Sequence, residues 1–172
     1  PLTADQQEVV SILDHSSRHL QKLIEQLLDY NRKLADTPTE LEQVELDQIV
    51  DLVVASHNLA ARARLIHTDI DLQVTSCRAE PTLLMRVIDN LYSNAVHYGS
   101  ESGNIWLRSY VHGERIFIEV ANTGTPIPAE EQAMIFEPFF QGSLQRKGAV
   151  KGSGLGLSIA KDCIRRMQGE LH

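Results

Sequence analysis

Two runs of alternating apolar residues, Ile105, Leu107 and Val111, then Ile116, Ile118 and Val120, face each other across Gly113. A period of two reads as β-strand, and a glycine between two such runs reads as a hairpin turn. A hairpin at the centre of a chain otherwise rich in helical patterns favours an α+β fold over a doubly wound parallel sheet. Upstream, Glu45 to about Ile66 reads as a helix preceded by a short strand around Val44, and Ile70, Leu72 and Val74 alternate as a strand. Pro81 opens a second helix, capped by Glu80 or the residue before it. Leu84, Ile88, Leu91 and Ala95 form its apolar face, and it ends near His97, before Gly99. Gly154 to Met167 returns to helix. The expected fold is a two-layer sandwich of helices on a mixed, mainly antiparallel sheet.

A different period governs the first residues. Val9, Leu13, Ser16, Leu20, Leu23, Leu27, Tyr30 and Leu34 recur at steps of four and three, which is the seam of a coiled-coil-like helix. One helix cannot bury such a seam by itself, so it calls for partner helices in a bundle or dimer; an edge helix of the following domain is the alternative. Asp36-Thr37-Pro38-Thr39 breaks the helix. The expected organisation is a helical segment over 1–36, a linker over 37–44 and a globular domain over 45–172. The chain starts at Pro1 without a Met and stops at His172, where a further strand is expected after Gln168-Gly169, so it reads as a fragment.

The formal net charge of −7 over 172 residues argues against a general nucleic-acid or anionic-membrane surface and leaves room for a local basic patch. Cys77 and Cys163 have neither CxxC spacing nor His at zinc-finger intervals and read as reduced thiols. No apolar run reaches the roughly 20 residues that span a bilayer, and nothing resembles a signal peptide.

Three segments carry candidate chemistry. On the helix from Pro81, Asn90 and Asn94 are four apart and His97 three further, so all three project from one edge. Amide oxygens can ligate Mg²⁺ without adding charge, leaving the cation's field for the phosphates of a nucleotide; a pair of helix-surface amides has the same spacing. Second, half of the ten glycines lie between Gln141 and Gly156, and Lys151-Gly-Ser-Gly-Leu-Gly-Leu leads into an apolar helix. Unhindered backbone N–H groups at a helix N-terminus form an anion site, although glycines alone also suit a flexible linker. Neither a G-x-x-x-x-G-K-[ST] loop nor a Rossmann fingerprint fits, since Leu157 takes the third Rossmann glycine position, and no H-R-D or D-F-G set occurs. Third, Phe136-Glu-Pro-Phe-Phe140 precedes a loop with Arg146, Lys147 and Lys151, three cations placed as a lid over phosphates would place them. Asn122-Thr-Gly124-Thr-Pro126-Ile-Pro128 follows the hairpin, where a strand-ending turn is the plain alternative.

In order along the chain, these segments resemble the ATP-binding domain of bacterial sensor histidine kinases, part of the fold shared with gyrase-type and Hsp90-type ATPases. IDNLYSNAVHYG is similar to the N box, VANTGTPIP to the first glycine box, IFEPFF to the F box and KGSGLGLSIAK to the second glycine box. The resemblance covers roughly residues 41–172. It implies that Asn90 and Asn94 are catalytic and hold Mg²⁺ on ATP, and that His97 and Tyr98 lie at the nucleotide with Asn122, Gly124, Ile127 and Phe139. It also implies a phosphate cradle of Lys151, Gly152, Ser153, Gly154, Leu155, Gly156 and Leu157, with the span from Asn122 to Gly152 as a mobile lid. The sequence departs from the family at three positions. Asn122 replaces the usual Asp that accepts from the adenine amino group, Pro126 stands where a glycine is usual, and His97 replaces a more usual basic residue.

By the same resemblance, LIEQLLDYNRKL is similar to the second helix of a dimerisation and phosphotransfer hairpin. The phosphoacceptor His belongs on the first helix of that hairpin, and no H-E-[LF]-[RK]-T-P-like motif is present. His15 and His19 sit on the wrong helix for that role. The resemblance therefore implies a protein-histidine kinase that uses Mg-ATP, dimerises through those helices, and passes phosphate to the receiver domain of a response regulator. The fragment would be the cytoplasmic portion of an inner-membrane protein, meeting the membrane only through other parts of its parent. An ATP-hydrolysing switch of the same fold, or a non-catalytic interaction module that keeps the boxes for folding, are the rival readings.

Overall fold

The computed structural model describes residues 39–143 and 152–172, together with Val10 and Ser17, which are helical. The rest of the heptad segment, with His15 and His19, and the loop cations Arg146, Lys147 and Lys151 lie outside the described residues. The chain divides into two units, Pro1–Pro38 and Thr39–His172. In the second, strand β1 (Glu42–Glu45) leads into helix α1 (Leu46–Ala63), followed by β2 (His67–Leu72), β3 (Ser76–Ala79) and helix α2 (Pro81–Tyr98). The hairpin β4 (Asn104–His112) and β5 (Arg115–Asn122), the short α3 (Ala129–Gln132) and α4 (Gly156–Arg166) complete it.

β1 pairs antiparallel with β3, Val44 opposite Cys77, so the stretch read as a linker ends in a strand of this unit. β2 runs parallel to β4, and β4 pairs antiparallel with β5, in the order β2-β4-β5. The fold is α+β with a mixed sheet, as its patterns indicate. His112 and Arg115 face each other across a two-residue loop, and Gly113 has φ +64 at the first loop position, where type II′ turns place glycine.

The periodicities explain the packing. Leu46, Ile49, Val50 and Val53 recur on one face of α1 and are buried, as are Leu84, Ile88, Tyr92 and Ala95 of α2, against Ile105 and Leu107 of β4. Burying each such Leu or Ile contributes about 1.5–3 kcal/mol, which makes the inward face of β4 the anchor of the sheet. Tyr92 needs a partner for its hydroxyl inside that core, and finds it in Thr68 Oγ1 at 2.7 Å.

Three boundaries differ from the expected ones. β2 stops at Leu72, short of Val74, because the buried Ser109 hydroxyl takes over there: it donates to Val74 O at 2.6 Å and accepts from Val74 N at 3.2 Å. The last helix begins at Gly156, since Gly154 has φ +69 and lies outside helical backbone space. Residues 169–172, where a strand is expected, carry no strand pairing. Helix α2 starts as expected, with Pro81 in its first turn and the Glu80 carboxylate accepting from Leu83 N.

Candidate functional site

Helix α2 has a second buried stripe. Leu83 and Val87, with Leu91, pack on α4 through Ile159, Cys163 and Ile164. Positions 83, 87, 90 and 94 follow at steps of four and three, so Asn90 and Asn94 continue the line that faces α4. The stripe changes from apolar to amide where α4 begins. Gly156, the first residue of α4, lies against Asn90: a Cβ there would stand 2.8 Å from Asn90 Oδ1. Asn90 Nδ2 donates to Arg86 O at 2.8 Å, leaving the amide oxygen on the Gly156 side. The half-buried Asn94 side chain makes no hydrogen bond to any described residue.

The N-terminus of α4 is electrostatically open. Leu155 occupies the cap position without a side-chain cap, and the first turn holds no acidic residue. Its early N–H groups and dipole therefore present positive potential beside the two amides. The loop before it is held on two sides. Phe139 N donates to Gly154 O at 2.9 Å, and a Cβ on Gly154 would come within 2.7 Å of Phe139 C and Phe140 O. Gln141 Nε2 donates to Gly152 O at 2.8 Å, and Ser153 Oγ accepts from Leu155 N at 3.2 Å. Phe139 has φ +65 and is 63% exposed, so the F-P-F-F segment is tied to the glycine loop through its backbone rather than by a buried Phe139 ring.

At the other end of α2, Tyr98 joins the remaining segments. Its hydroxyl lies 3.9 Å from the Cβ position of Gly152, and its carbonyl oxygen 3.3 Å from that of Gly124. Gly124 thus answers to tight packing against Tyr98 O rather than to a positive φ. Asn122 is exposed at the end of β5 and donates through Nδ2 to Thr123 O at 3.1 Å, leaving its Oδ1 available as an acceptor. Thr123 locks this corner: its N–H donates to Asn104 O at 2.9 Å and its carbonyl accepts from Ser100 N at 2.8 Å. The His97 ring stands edge-on to Tyr98 with centroids 4.7 Å apart.

The structure therefore links Asn90 to Gly156, Tyr98 to Gly152 and Gly124, and Phe139 to Gly154. Ile127 is exposed, its carbonyl accepting from Gln132 Nε2 at 3.1 Å, and Leu157 is half-buried in the first turn of α4. Lys151 lies outside the described residues. Among the described residues no group of three or more His, Cys, Asp or Glu could hold a metal ion. A divalent cation here would rest on neutral amide oxygens and on the oxygens of its ligand, which suits a cation that arrives with a polyphosphate. Three residues with a structural part in the site had no local signal: Arg64, Gln141 and Glu131, each of which acts on a distant segment.

Residues 79–172 match the family model described as histidine kinase-, DNA gyrase B- and HSP90-like ATPase. The chain belongs to that ATPase family. Sensor histidine kinase GlrK of Escherichia coli strain K12 and sensor histidine kinase QseE of Escherichia coli O157:H7 are each 74% identical to it over 172 residues. Those residues are all of this chain and 36% of either relative. The catalytic domain of histidine kinase ThkA aligns with a TM-score of 0.63 at 28% identity, covering 73% of this chain and 80% of that one. Within the family, this is an ATP-binding catalytic domain of the sensor histidine kinase kind.

Proposed function

We propose that this domain positions Mg-ATP and donates its γ-phosphoryl group to a His on the first helix of a dimerisation hairpin, for relay to an Asp of a response regulator's receiver domain. The single observation that carries the reading is the stripe of α2 that turns from Leu83 and Val87 to Asn90 and Asn94 where the uncapped α4 begins. Asn94, with Asn90, would hold Mg²⁺, which would draw charge from the phosphate oxygens. The N–H groups from Gly152 to Leu157 would receive the phosphates. In the transfer, the bond from the γ-phosphorus to its bridging oxygen breaks and a bond to an imidazole nitrogen forms, with ADP leaving. The site contributes positioning and charge stabilisation.

Asp89 favours transfer over hydrolysis. It is the only carboxylate in α2, and it is paired with His57 Nε2 of α1 at 2.7 Å. Position 90, four before Asn94, carries an amide, which cannot act as a general base toward water. In the parent protein, residues 1–36 would be the second helix of the dimerisation hairpin, joined by a short linker to a catalytic domain that starts with β1 (Glu42–Glu45) rather than at 45, in a homodimer on the cytoplasmic side of an inner membrane. No described helix is long and apolar enough to cross a membrane.

The test is calorimetry of ATP binding with and without Mg²⁺, on the chain and on Asn94→Ala. The chain should bind Mg-ATP, and the variant should lose the Mg²⁺-dependent part. Mixed with Mg-ATP and a His-bearing hairpin, the chain should yield an acid-labile phosphohistidine on the hairpin and no stable label on itself. Unchanged affinity in Asn94→Ala would take Asn94 out of the site, and steady-state ATP hydrolysis without a His partner would favour the switch reading.

A further inference from the structure

The turn that closes α2 and carries Tyr98 is built around one side chain from another helix. Helix α2 does not end in a left-handed glycine; Gly99 has φ −57 and ψ 155, and its lack of a side chain is explained by crowding, since a Cβ would stand 2.6 Å from Ala95 O. The final carbonyls of α2 therefore need donors from elsewhere. Arg64, the C-cap residue of α1, supplies them: its guanidinium donates to His97 O at 2.8 Å and also to Val96 O and Gly99 O. The Arg64 backbone holds the same turn from its far side, its carbonyl accepting from Ser102 N at 3.0 Å.

Two of those carbonyls, on His97 and Gly99, flank Tyr98. Tyr98 in turn meets Gly152 with its hydroxyl and Gly124 with its carbonyl, while Ser100, one residue past Gly99, donates to Thr123 beside Asn122. A half-buried guanidinium on α1 thus fixes the backbone on either side of the residue that touches both glycine segments. A cation at a helix C-terminus is favoured by the helix dipole, and a planar fork with five donors is the group that can serve three carbonyls at once.

We propose that Arg64 is the positioning residue for the base end of the ATP site, acting through the 96–99 turn to hold Tyr98, Gly124 and Asn122 in their mutual places. This rests on the nucleotide reading above and names a residue that contacts no nucleotide itself. The Mg²⁺ end, at Asn90 and Asn94 one to two turns earlier on α2, is anchored independently by Leu83, Val87 and Gly156. Loss of Arg64 should therefore weaken nucleotide binding without changing how much Mg²⁺ adds to it.

The experiment compares the chain with Arg64→Met and Arg64→Lys, measuring by calorimetry the affinities for Mg-ATP, for ATP in excess chelator and for adenosine, below the thermal midpoint of each variant. Arg64→Met should weaken all three by a common factor of about ten, the scale of a charge-assisted hydrogen bond. The ratio of affinities with and without Mg²⁺ should be unchanged, and Arg64→Lys, which keeps the charge but not the fork, should fall between. Combined with Tyr98→Ala, the Arg64→Met effect should shrink, because both act through one turn. Wild-type affinity in folded Arg64→Met, or a loss confined to the Mg²⁺-dependent part, overturns the proposal while leaving the nucleotide site standing. Failure of the unaltered chain to bind Mg-ATP would instead remove the reading on which it rests.

Discussion

Asn90 Oδ1 lies 2.8 Å from the point where a Cβ on Gly156 would stand, so the first residue of α4 must be glycine if the amide is to keep its place. Alanine at 156 would gain up to ~1 kcal/mol of helix propensity, and the colliding atom is the end of a side chain that can swing away. Stability should therefore change little in Gly156→Ala. The displaced amide should reduce Mg-ATP affinity by about tenfold, read by calorimetry beside a thermal melt. If affinity stays at the level of the unaltered chain, the Asn90 oxygen has no part in holding the nucleotide.

Leu65 offers a test of the scaffold free of the site. It has φ +55 and is 73% exposed, and it occupies the left-handed position of a Schellman motif: Leu65 N donates to Arg62 O at 3.0 Å and Ile66 N to Ala61 O at 3.0 Å. The flanking residues of that motif are apolar and buried, Ala61 and Ile66 both belonging to the main core cluster. A leucine in this conformation is strained by roughly 1 kcal/mol, which glycine relieves at the expense of greater freedom in the unfolded chain. Because glycine's extra freedom offsets about 0.5–1 kcal/mol of that relief, Leu65→Gly should leave stability in urea unfolding unchanged or raise it by up to about 0.5 kcal/mol, with unchanged nucleotide affinity. Destabilisation would mean that the Leu65 side chain makes a net favourable contact.

Local spacing made much of this domain legible. The Asn90 and Asn94 pair, the hairpin around Gly113 and the cap at Glu80 are all readable because each depends on residues within a turn or two. What escaped was non-local. Arg64 reaches Gly99, 35 residues away, and the sequence shows only a basic residue near a helix end, which the dipole would favour anywhere. Ser109 occupies an inward position on β4 where the alternation of Ile105 and Leu107 calls for an apolar residue, and only the fold reveals that its hydroxyl replaces a ladder bond at Val74, also 35 residues distant. Spacing alone does not tell the glycines apart: Gly154 serves a positive φ, Gly156 a close approach to Asn90 and Gly124 a tight contact with Tyr98 O, whereas a Cβ on Gly152 would meet Tyr98 Oη only at an ordinary 3.9 Å.

Glu131 ties the start of the 129–143 segment to its end. Its carboxylate accepts from Ser143 N at 3.0 Å, and hydrogen bonds from the Ser143 side chain and then its backbone hold its pKa below the ordinary glutamate value. A depressed value in the folded state means that the tie is complete above the unfolded pKa and is lost as pH falls through the folded one. The Ser143 amide resonance should therefore follow the Glu131 titration, with its midpoint on the acid side of an ordinary Glu. In Glu131→Gln the amide should keep a carbonyl acceptor and lose the pH dependence. A Ser143 signal that ignores the Glu131 titration would show that the two do not hold each other in solution.

On the proposed reading, Asn122 lies at the base end of the nucleotide site, with an uncharged acceptor where the resemblance leads one to expect a carboxylate. Its Nδ2 is engaged with Thr123 O, which leaves Oδ1 as the acceptor that an adenine amino group would use on that reading. Asn122→Asp forfeits that exposed local bond and gains a charged acceptor, a change worth ~1 kcal/mol in favour of the ligand, or about fivefold in affinity. The gain should appear equally for ATP, ADP and adenosine, because the contact is to the base. It should also persist without Mg²⁺, which separates it from any change at Asn94. Affinity that rises only for the triphosphate, or that falls for all three ligands, would mean that Asn122 does not accept from the base and that Thr123 is the partner it is built to serve.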